Sequence, residues 1–251
     1  MRYKQLGKTG LKVSTLTVGT WAMGGIGWGS FEEKNSIDSI HAMLDNGVNH
    51  IDAAWVYGLG ASDKIIGKAL KGIDRDKFII TEKAGFRNNP NGGPNYPDCS
   101  TEFMTYCFED SLKNLGLDYV DLFLIHGPDT NTPFEETAEL LNKWKKEGKV
   151  GHLGVSNYSI EQIEEISKYM DVEAVQLGYS MVNRGMEDIL KWAHEHHIGC
   201  MTHSSLGSGI LTGTFRELPK FADDDVRVLY PNPNFQEPRF SKVMELSLIH
   251  I

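Results

Sequence analysis

Short apolar segments alternate with segments of helical periodicity along most of this chain. The apolar segments are residues 16–20, 49–52, 77–83, 119–126, 150–156, 172–176 and 198–203. The helical segments are residues 36–46, 63–70, 101–114, 133–147, 160–168 and 187–196. Apolar runs of about four to eight residues that alternate with helices are typical of βαβ units. The alternation therefore predicts an α/β fold with a parallel sheet of seven strands.

The number of units points to a barrel. Residues 2–6 and 11–14 precede the series and predict a β-hairpin. Seven units are one fewer than the eight of a (β/α)8 TIM barrel. The chain is irregular from Leu211 to Pro238, and a last helix is predicted at residues 239–246. We expect a (β/α)8 TIM barrel with an N-terminal β-hairpin, forming one domain over residues 1–251 that lacks its last β/α unit. A complete seven-unit fold is the alternative.

Composition excludes several classes of partner. The formal net charge of -9 argues against nucleic acid and anionic membrane surfaces. The chain has no apolar run of the roughly 20 residues that a membrane helix needs. Its three cysteines form no CxxC pair and fit no zinc spacing, which is typical of a reducing compartment. We therefore expect a cytoplasmic protein that binds small molecules.

Four side chains with complementary chemistry follow the ends of three predicted strands. Asp52 and Tyr57 follow the second strand, Lys83 ends the third and His126 ends the fourth. Strand C-termini meet at one mouth of a parallel barrel, where active sites lie. A tyrosine has an ordinary pKa of about 10, which a nearby ammonium lowers. We expect Lys83 to lower the pKa of Tyr57, Asp52 to hold Lys83, and His126 to orient a carbonyl or share the proton.

Each of these residues also has a structural explanation when it is taken alone. Asp52 could cap a turn, Lys83 could be a solvated charge, and His126 could be a hydrogen-bonded core residue. Their convergence at one end of the sheet favours a catalytic site. The set contains no nucleophile–base pair of the serine or cysteine type.

Longer motifs make the chain resemble a known family. They are residues 6–14 in the hairpin, 52–58 with the continuation 60–63, 118–126, and 148–158. In order and spacing they resemble those of the aldo-keto reductases, and the likeness runs from Tyr3 to about Phe240. It is nearest to the bacterial branch that includes inositol-operon-type and general-stress reductases.

The resemblance implies a barrel that binds NADP(H) in extended form and acts on a small carbonyl or alcohol. Asp52, Tyr57, Lys83 and His126 would be the catalytic tetrad, with Tyr57 as proton donor. The implied cofactor-binding residues are Gly19, Thr20 and Trp21 beside the ribose, with Asp52; Ser156, Asn157 and Gln176 at the carboxamide; His203 and Ser204 near the nicotinamide; and Leu206, Ser208 and Gly209 along the pyrophosphate.

Three departures from the family pattern stand out. His203 occupies the position of the tyrosine that usually stacks on the nicotinamide. Glu82 precedes Lys83 where a small polar residue is common; because side chains alternate along a strand, we expect Glu82 to face away and leave the tetrad intact. The last β/α unit, which would hold the basic residues for the adenosine 2'-phosphate, is absent from the pattern. The choice of NADP over NAD therefore depends on the resemblance alone.

The remaining motifs have structural explanations. The run 194–197, His-Glu-His-His, lacks the spacing of zinc-protease ligands and fits charges near a helix C-terminus. The glycines of residues 24–29 form no phosphate-binding motif and predict a rim loop. Two alternatives to the enzyme stay open: a cofactor-sensing binding module of the same fold, and a truncated barrel without function.

Overall fold

The computed structural model describes residues 1–29, 32–91 and 93–249. Its main sheet has seven parallel strands, which lie side by side in the order in which they follow along the chain. The strands are β3 (Val18–Gly19), β4 (His50–Asp52), β5 (Ile79–Ala84), β8 (Val120–Ile125), β9 (Val150–Ser156), β10 (Ala174–Gly178) and β11 (Gly199–His203). This curled sheet confirms the predicted α/β barrel-type architecture.

The N-terminal hairpin is also confirmed, and it links two distant strands at the base of the sheet. Strands β1 (Tyr3–Gln5) and β2 (Lys12–Ser14) pair antiparallel. In the turn between them, the Lys8 backbone N–H donates to His197 O, 2.9 Å away, just before β11. The Ser14 N–H donates to Asn49 Oδ1, 2.7 Å away, just before β4. Because the hairpin contacts residues before the last strand, β11, and before the second strand, β4, the sheet must curl.

The first six of the eight helices in the described residues pack against the outer face of the sheet, and the last two follow β11. Their bounds are α1 (Glu33–Asp45), α2 (Ala61–Leu70), α3 (Thr101–Leu115), α4 (Phe134–Lys146), α5 (Ile160–Ile166), α6 (Glu187–Glu195), α7 (Val226–Leu229) and α8 (Arg239–Ile249). Alternation along β8 divides the core, because Phe123 and Ile125 face the helices whereas Leu122 and Leu124 face the interior. Full burial of such side chains contributes about 1.5–3 kcal/mol each.

Three local predictions were incomplete or wrong. The loop between β5 and α3 contains a second hairpin, β6 (Phe86–Arg87) with β7 (Tyr96–Pro97), which residues 86–100 do not signal by alternation. The short helix α7 lies in the stretch predicted as irregular. Helix α2 begins at Ala61, two residues before the predicted start, and has no side-chain cap; Ser62 in its first turn donates to Thr20 O at 3.0 Å.

The chain after β11 packs against itself. Helix α8 and the 3-10 turn Gly207–Thr212 enclose a separate apolar cluster formed by Val182, Ile210, Phe240, Val243 and Met244. Within the part of the chain that the structure describes, none of the helices combines the length and apolarity needed to cross a bilayer.

Candidate active site

The carboxyl ends of the seven strands bring the predicted site residues to one edge of the sheet. Asp52 ends β4, Lys83 is the penultimate residue of β5, and His126 directly follows β8. Ser156 ends β9, Gln176 is the middle residue of β10, and His203 ends β11. The parallel register explains this convergence, since it pairs Asp52 with Thr81 and Lys83 with Leu124 across neighbouring strands.

A buried ion pair lies at the centre of the site. Lys83 Nζ donates to Asp52 Oδ1 at 2.7 Å and to Ala53 O at 2.9 Å, with the Lys83 side chain fully buried. Burial alone would lower the pKa of Lys83, but the charges of Asp52, Tyr57 and Glu82 outweigh it and raise that pKa. The amine is therefore an ammonium at neutral pH.

Tyr57 lies on the same side of the sheet as this ammonium. Lys83 Nζ is 5.3 Å from the centroid of the Tyr57 ring, which is 9% exposed. Lys83 lowers the pKa of Tyr57, as expected, but burial outweighs this effect and raises the pKa to about 12, so the net shift is opposite to the expected one. Desolvation of the phenolate exceeds the attraction of one ammonium. Tyr57 is thus fully protonated at neutral pH.

His126 contacts Tyr57 edge-on, with ring centroids 5.7 Å apart. Burial, then the charge of Lys83, lowers the pKa of His126 well below its usual range. The ring is therefore a neutral imidazole. Its buried Nδ1 has no hydrogen-bond partner among the described residues. A neutral histidine can orient a carbonyl by a hydrogen bond, but it holds no extra proton to share at neutral pH.

The residues expected at a carboxamide form hydrogen bonds around the Asp52–Lys83 ion pair and His126. Gln176 Nε2 donates to the same Asp52 Oδ1, 2.8 Å away. Asn157, which has a φ of 63°, donates through Nδ2 to Ser156 Oγ at 3.0 Å and to His126 O at 3.1 Å. These contacts fix two amide side chains at the ends of β9 and β10.

His203 joins the same hydrogen-bond network. Its Nε2 is 3.1 Å from Asn157 Oδ1, and its Nδ1 is 3.1 Å from Ser204 Oγ. Because Asn157 Nδ2 already donates, Asn157 Oδ1 is the acceptor and Nε2 carries the proton. Gly178 gives the imidazole room, since a Cβ there would lie 3.2 Å from His203 Cε1. Burial, then Lys83, lowers the pKa of His203.

Aromatic rings cover the tetrad. Trp21 is 39% exposed and stacks on Tyr57, with centroids 6.0 Å apart. Thr20 is buried, and its hydroxyl donates a hydrogen bond to Asp52 O, 2.9 Å away. Gly19 is the register partner of Asp52 in the neighbouring strand. Tyr230 meets Trp21 edge-on at 6.4 Å. Tyr230 was not among the predicted site residues, because nothing in its irregular segment signals that it lies over the mouth.

The segment expected along the pyrophosphate follows β11. Leu206 is 59% exposed, and the chain then turns through Gly207, Ser208 and Gly209, which have φ values of 60°, 60° and 99°. Asn232 Nδ2 donates to Ser208 Oγ at 3.1 Å. The turn is closed by its own backbone, since the N–H groups of Gly207 and Gly209 donate to Ser204 O at 2.8 Å and to Leu206 O at 3.1 Å.

No group of three or more potential metal ligands occurs among residues 1–29, 32–91 and 93–249. The histidine run 194–197 is not gathered into a ligand set. His196 instead stacks on Trp192, with centroids 4.2 Å apart, and its Nδ1 lies 2.7 Å from Trp192 O.

Comparison with known proteins places the chain in a family. The model of the Aldo/keto reductase family matches residues 15–245. "Aldo-keto reductase YhdN" of Bacillus subtilis is 38% identical over 97% of this chain and 73% of its own length. "NADH-specific methylglyoxal reductase" of Escherichia coli is 33% identical over 85% and 70%. The glycerol dehydrogenase structure from Gluconobacter oxydans has a TM-score of 0.82 and 34% identity over 93% of this chain and 72% of that one. The chain therefore belongs to the aldo/keto reductase family of carbonyl-reducing oxidoreductases.

Proposed function

We propose that this chain reduces an aldehyde or ketone to an alcohol, or catalyses the reverse, with NADP(H) as cofactor and Tyr57 as the proton donor. The observation that carries the proposal is the fully buried Lys83 ammonium, paired with Asp52 and 5.3 Å from the Tyr57 ring centroid. A fixed positive charge favours the negative charge that develops on the phenol oxygen as its proton leaves. Placing that charge inside the protein makes the effect stronger than in water.

The donor groups at the strand ends fit a nicotinamide cofactor. Asn157 and Gln176 offer amide groups and Ser156 a hydroxyl where a carboxamide would bind, and residues 206–213 offer a glycine-rich turn for phosphates. The bound cofactor would supply the hydride, which no side chain can provide. The residues of the chain then bind and orient both reactants and exclude water from the mouth.

Proton delivery falls to the chain itself. Tyr57 holds its proton at neutral pH, because burial raises its pKa to about 12. Lys83 stabilises the phenolate that remains after transfer, and Asp52 keeps Lys83 charged. His126 is neutral and lies beside Tyr57, so it can donate a hydrogen bond to the carbonyl oxygen without competing as an acid.

Replacement of Tyr57 tests this assignment. Tyr57→Phe should lower kcat for a generic aldehyde by about 10²–10⁴-fold, the usual contribution of a general acid, while the Kd for NADPH changes little. Tyr106→Phe, at a 59% exposed tyrosine, is the matched control. If Tyr57→Phe keeps full turnover, the proton donor is another group. If the wild type binds NADPH tightly without turnover, the cofactor-sensing module becomes the better description.

Cofactor choice needs its own measurement, because the Escherichia coli relative is named as NADH-specific. Our proposal of NADP(H) follows the resemblance to the family as a whole. Parallel fluorescence titrations with NADPH and NADH should give the lower Kd for NADPH. A lower Kd for NADH would leave the tetrad assignment intact and overturn only the cofactor.

A further inference from the structure

Glu82 lies on the face of β5 opposite the tetrad. Its neighbour Lys83 faces Asp52, so alternation turns Glu82 towards the helices. In register, Glu82 pairs with Phe123, whose ring meets Phe108 of α3 at 5.1 Å. Glu82 is fully buried; its Oε1 accepts from the Lys83 backbone N–H at 3.0 Å. Its Oε2 has no partner in the described part of the chain.

Asp63 brings a second buried carboxyl group to this layer from the first turn of α2. It is also fully buried, and its Oδ2 accepts from Ser111 Oγ of α3, 2.8 Å away. Its Oδ1 has no partner among the residues described. Within those residues, no arginine, lysine or histidine forms an ion pair with Glu82 or Asp63. Two buried carboxylates without a cation are costly, so at least one must hold a proton.

The surrounding charges agree with this expectation. Burial raises the pKa of Asp63 to about 7, against which Ser111 and Lys83 act, whereas Asp110 raises it further. Burial raises the pKa of Glu82 well above its usual range, and the charge of Asp63 adds to the increase; Asp52 acts in the same direction and Lys83 in the opposite one. Asp63 and Glu82 therefore influence each other's ionisation.

We propose that Glu82 and Asp63 together hold a proton at neutral pH, and that its loss tightens the hold of Lys83 and Tyr57 on their own protons. Glu82 and Asp63 would be positioning residues, since neither lies on the side of the sheet where a substrate would bind. A negative charge on Glu82 raises the pKa values of both Lys83 and Tyr57. The influence passes across a single strand, because Glu82 and Lys83 are consecutive.

The role of Tyr57 in this inference rests on the proposed function, whereas the shared proton does not. Two variants remove the titrating groups with little change of shape. Glu82→Gln keeps an oxygen for the Lys83 backbone N–H, and Asp63→Asn keeps an oxygen for Ser111. Glu109→Gln, at an exposed acid on the same helix as Ser111, is the matched control.

Infrared difference spectroscopy between pH 5 and pH 9 tests the shared proton without turnover. The wild type and Glu109→Gln should show the carbonyl band of a buried carboxylic acid that weakens as the pH rises, with the Asp63 contribution lost around pH 7. That band should be lost or shifted in Glu82→Gln and in Asp63→Asn. If the wild type lacks the band, or if both variants keep it unchanged, the shared proton is refuted.

The pH profile of alcohol oxidation tests the effect on Tyr57. In the wild type, log kcat/KM should change slope over the pH range in which the infrared band is lost, because Tyr57 holds its proton more tightly once Glu82 ionises. Glu82→Gln should remove this change of slope, which a purely structural role would leave in place. A change of slope that persists in Glu82→Gln refutes the link to Tyr57. If the wild type shows the infrared band but no turnover, the proposed function has failed and the shared proton is supported.

Discussion

Asp52 Oδ1 and Lys83 Nζ form an ion pair at 2.7 Å, and the lysine side chain is fully buried. An ammonium in that position depends on its partner, because burying a charge without a counter-charge carries a large desolvation cost. The pair also holds Gln176, which donates to the same carboxylate oxygen. Folding stability and the proposed catalysis would therefore depend on one contact in this protein.

Breaking this pair from one side should be more damaging than removing both charges. Lys83→Met should lower the free energy of unfolding by about 3–5 kcal/mol, because it leaves the Asp52 carboxylate buried without a cation. Asp52→Asn/Lys83→Met should be more stable than Lys83→Met. Chemical denaturation of the wild type, both single variants and the double variant measures the coupling. If the two single effects simply add, the ion pair contributes nothing to folding.

Binding of the oxidised cofactor should be sensitive to acid through His203. Its pKa is lowered by burial, then by Lys83, so the ring is neutral at pH 7 and becomes a cation only in acid. A cation beside the proposed nicotinamide site would repel NADP⁺ more than NADPH, by at most about tenfold for each pH unit below the pKa of His203. Titrations of both forms from pH 5 to pH 8 should show that the ratio of the Kd for NADP⁺ to the Kd for NADPH rises in acid.

His203→Phe should flatten that ratio, because phenylalanine keeps a ring without a titrating group. Effects on the 2'-phosphate cancel, since both forms of the cofactor carry it. A ratio that rises equally in His203→Phe would assign the acid sensitivity to another residue.

Stability should fall in acid because of His50. The His50 ring lies between the hydroxyl groups of Thr17 and Thr81. Burial is the main reason that its pKa falls from 6.5 to about 4. The unfolded chain therefore binds a proton between pH 6.5 and pH 4 that the folded protein does not. The corresponding loss of stability is complete below pH 4 and amounts to about 3 kcal/mol.

Urea denaturation at pH 7 and pH 4.5 measures this loss. His50→Gln should lose less stability over the interval than the wild type, whereas His194→Gln, at an exposed histidine, should behave as the wild type does. An unchanged loss in His50→Gln would mean that other groups cause the acid sensitivity.

Thiol labelling should distinguish the three cysteines. Cys99 and Cys107 are 2% and 0% exposed, and burial raises the pKa of both. Cys200 is exposed, although partial burial of its thiol also raises its pKa. Iodoacetamide should therefore modify only Cys200 in the native protein, and slowly. Mass spectrometry of Cys200→Ser should show no labelling until the protein is unfolded; rapid labelling of Cys107 would contradict the packing of α3.

The sequence by itself determined the order of the elements and the end of the strands at which the proposed site lies. The nearly continuous apolar run Val120–Ile125 indicates a strand that is buried on both faces, as strands of a parallel sheet between helices and a barrel interior are. Once the strands are known to be parallel, Asp52, Lys83 and His126 must meet, because each stands where its strand ends. The family motifs added roles to these positions that remain proposals.

The tertiary structure alone decided the electrostatics. Whether Lys83 or burial controls the pKa of Tyr57 depends on how much water reaches the phenol, and that is set by segments distant in the chain, including Trp21. Glu82 could be predicted to face away from Lys83, but not to be sealed in the same layer as Asp63. Local patterns encode which way a side chain points; desolvation depends on everything that packs around it.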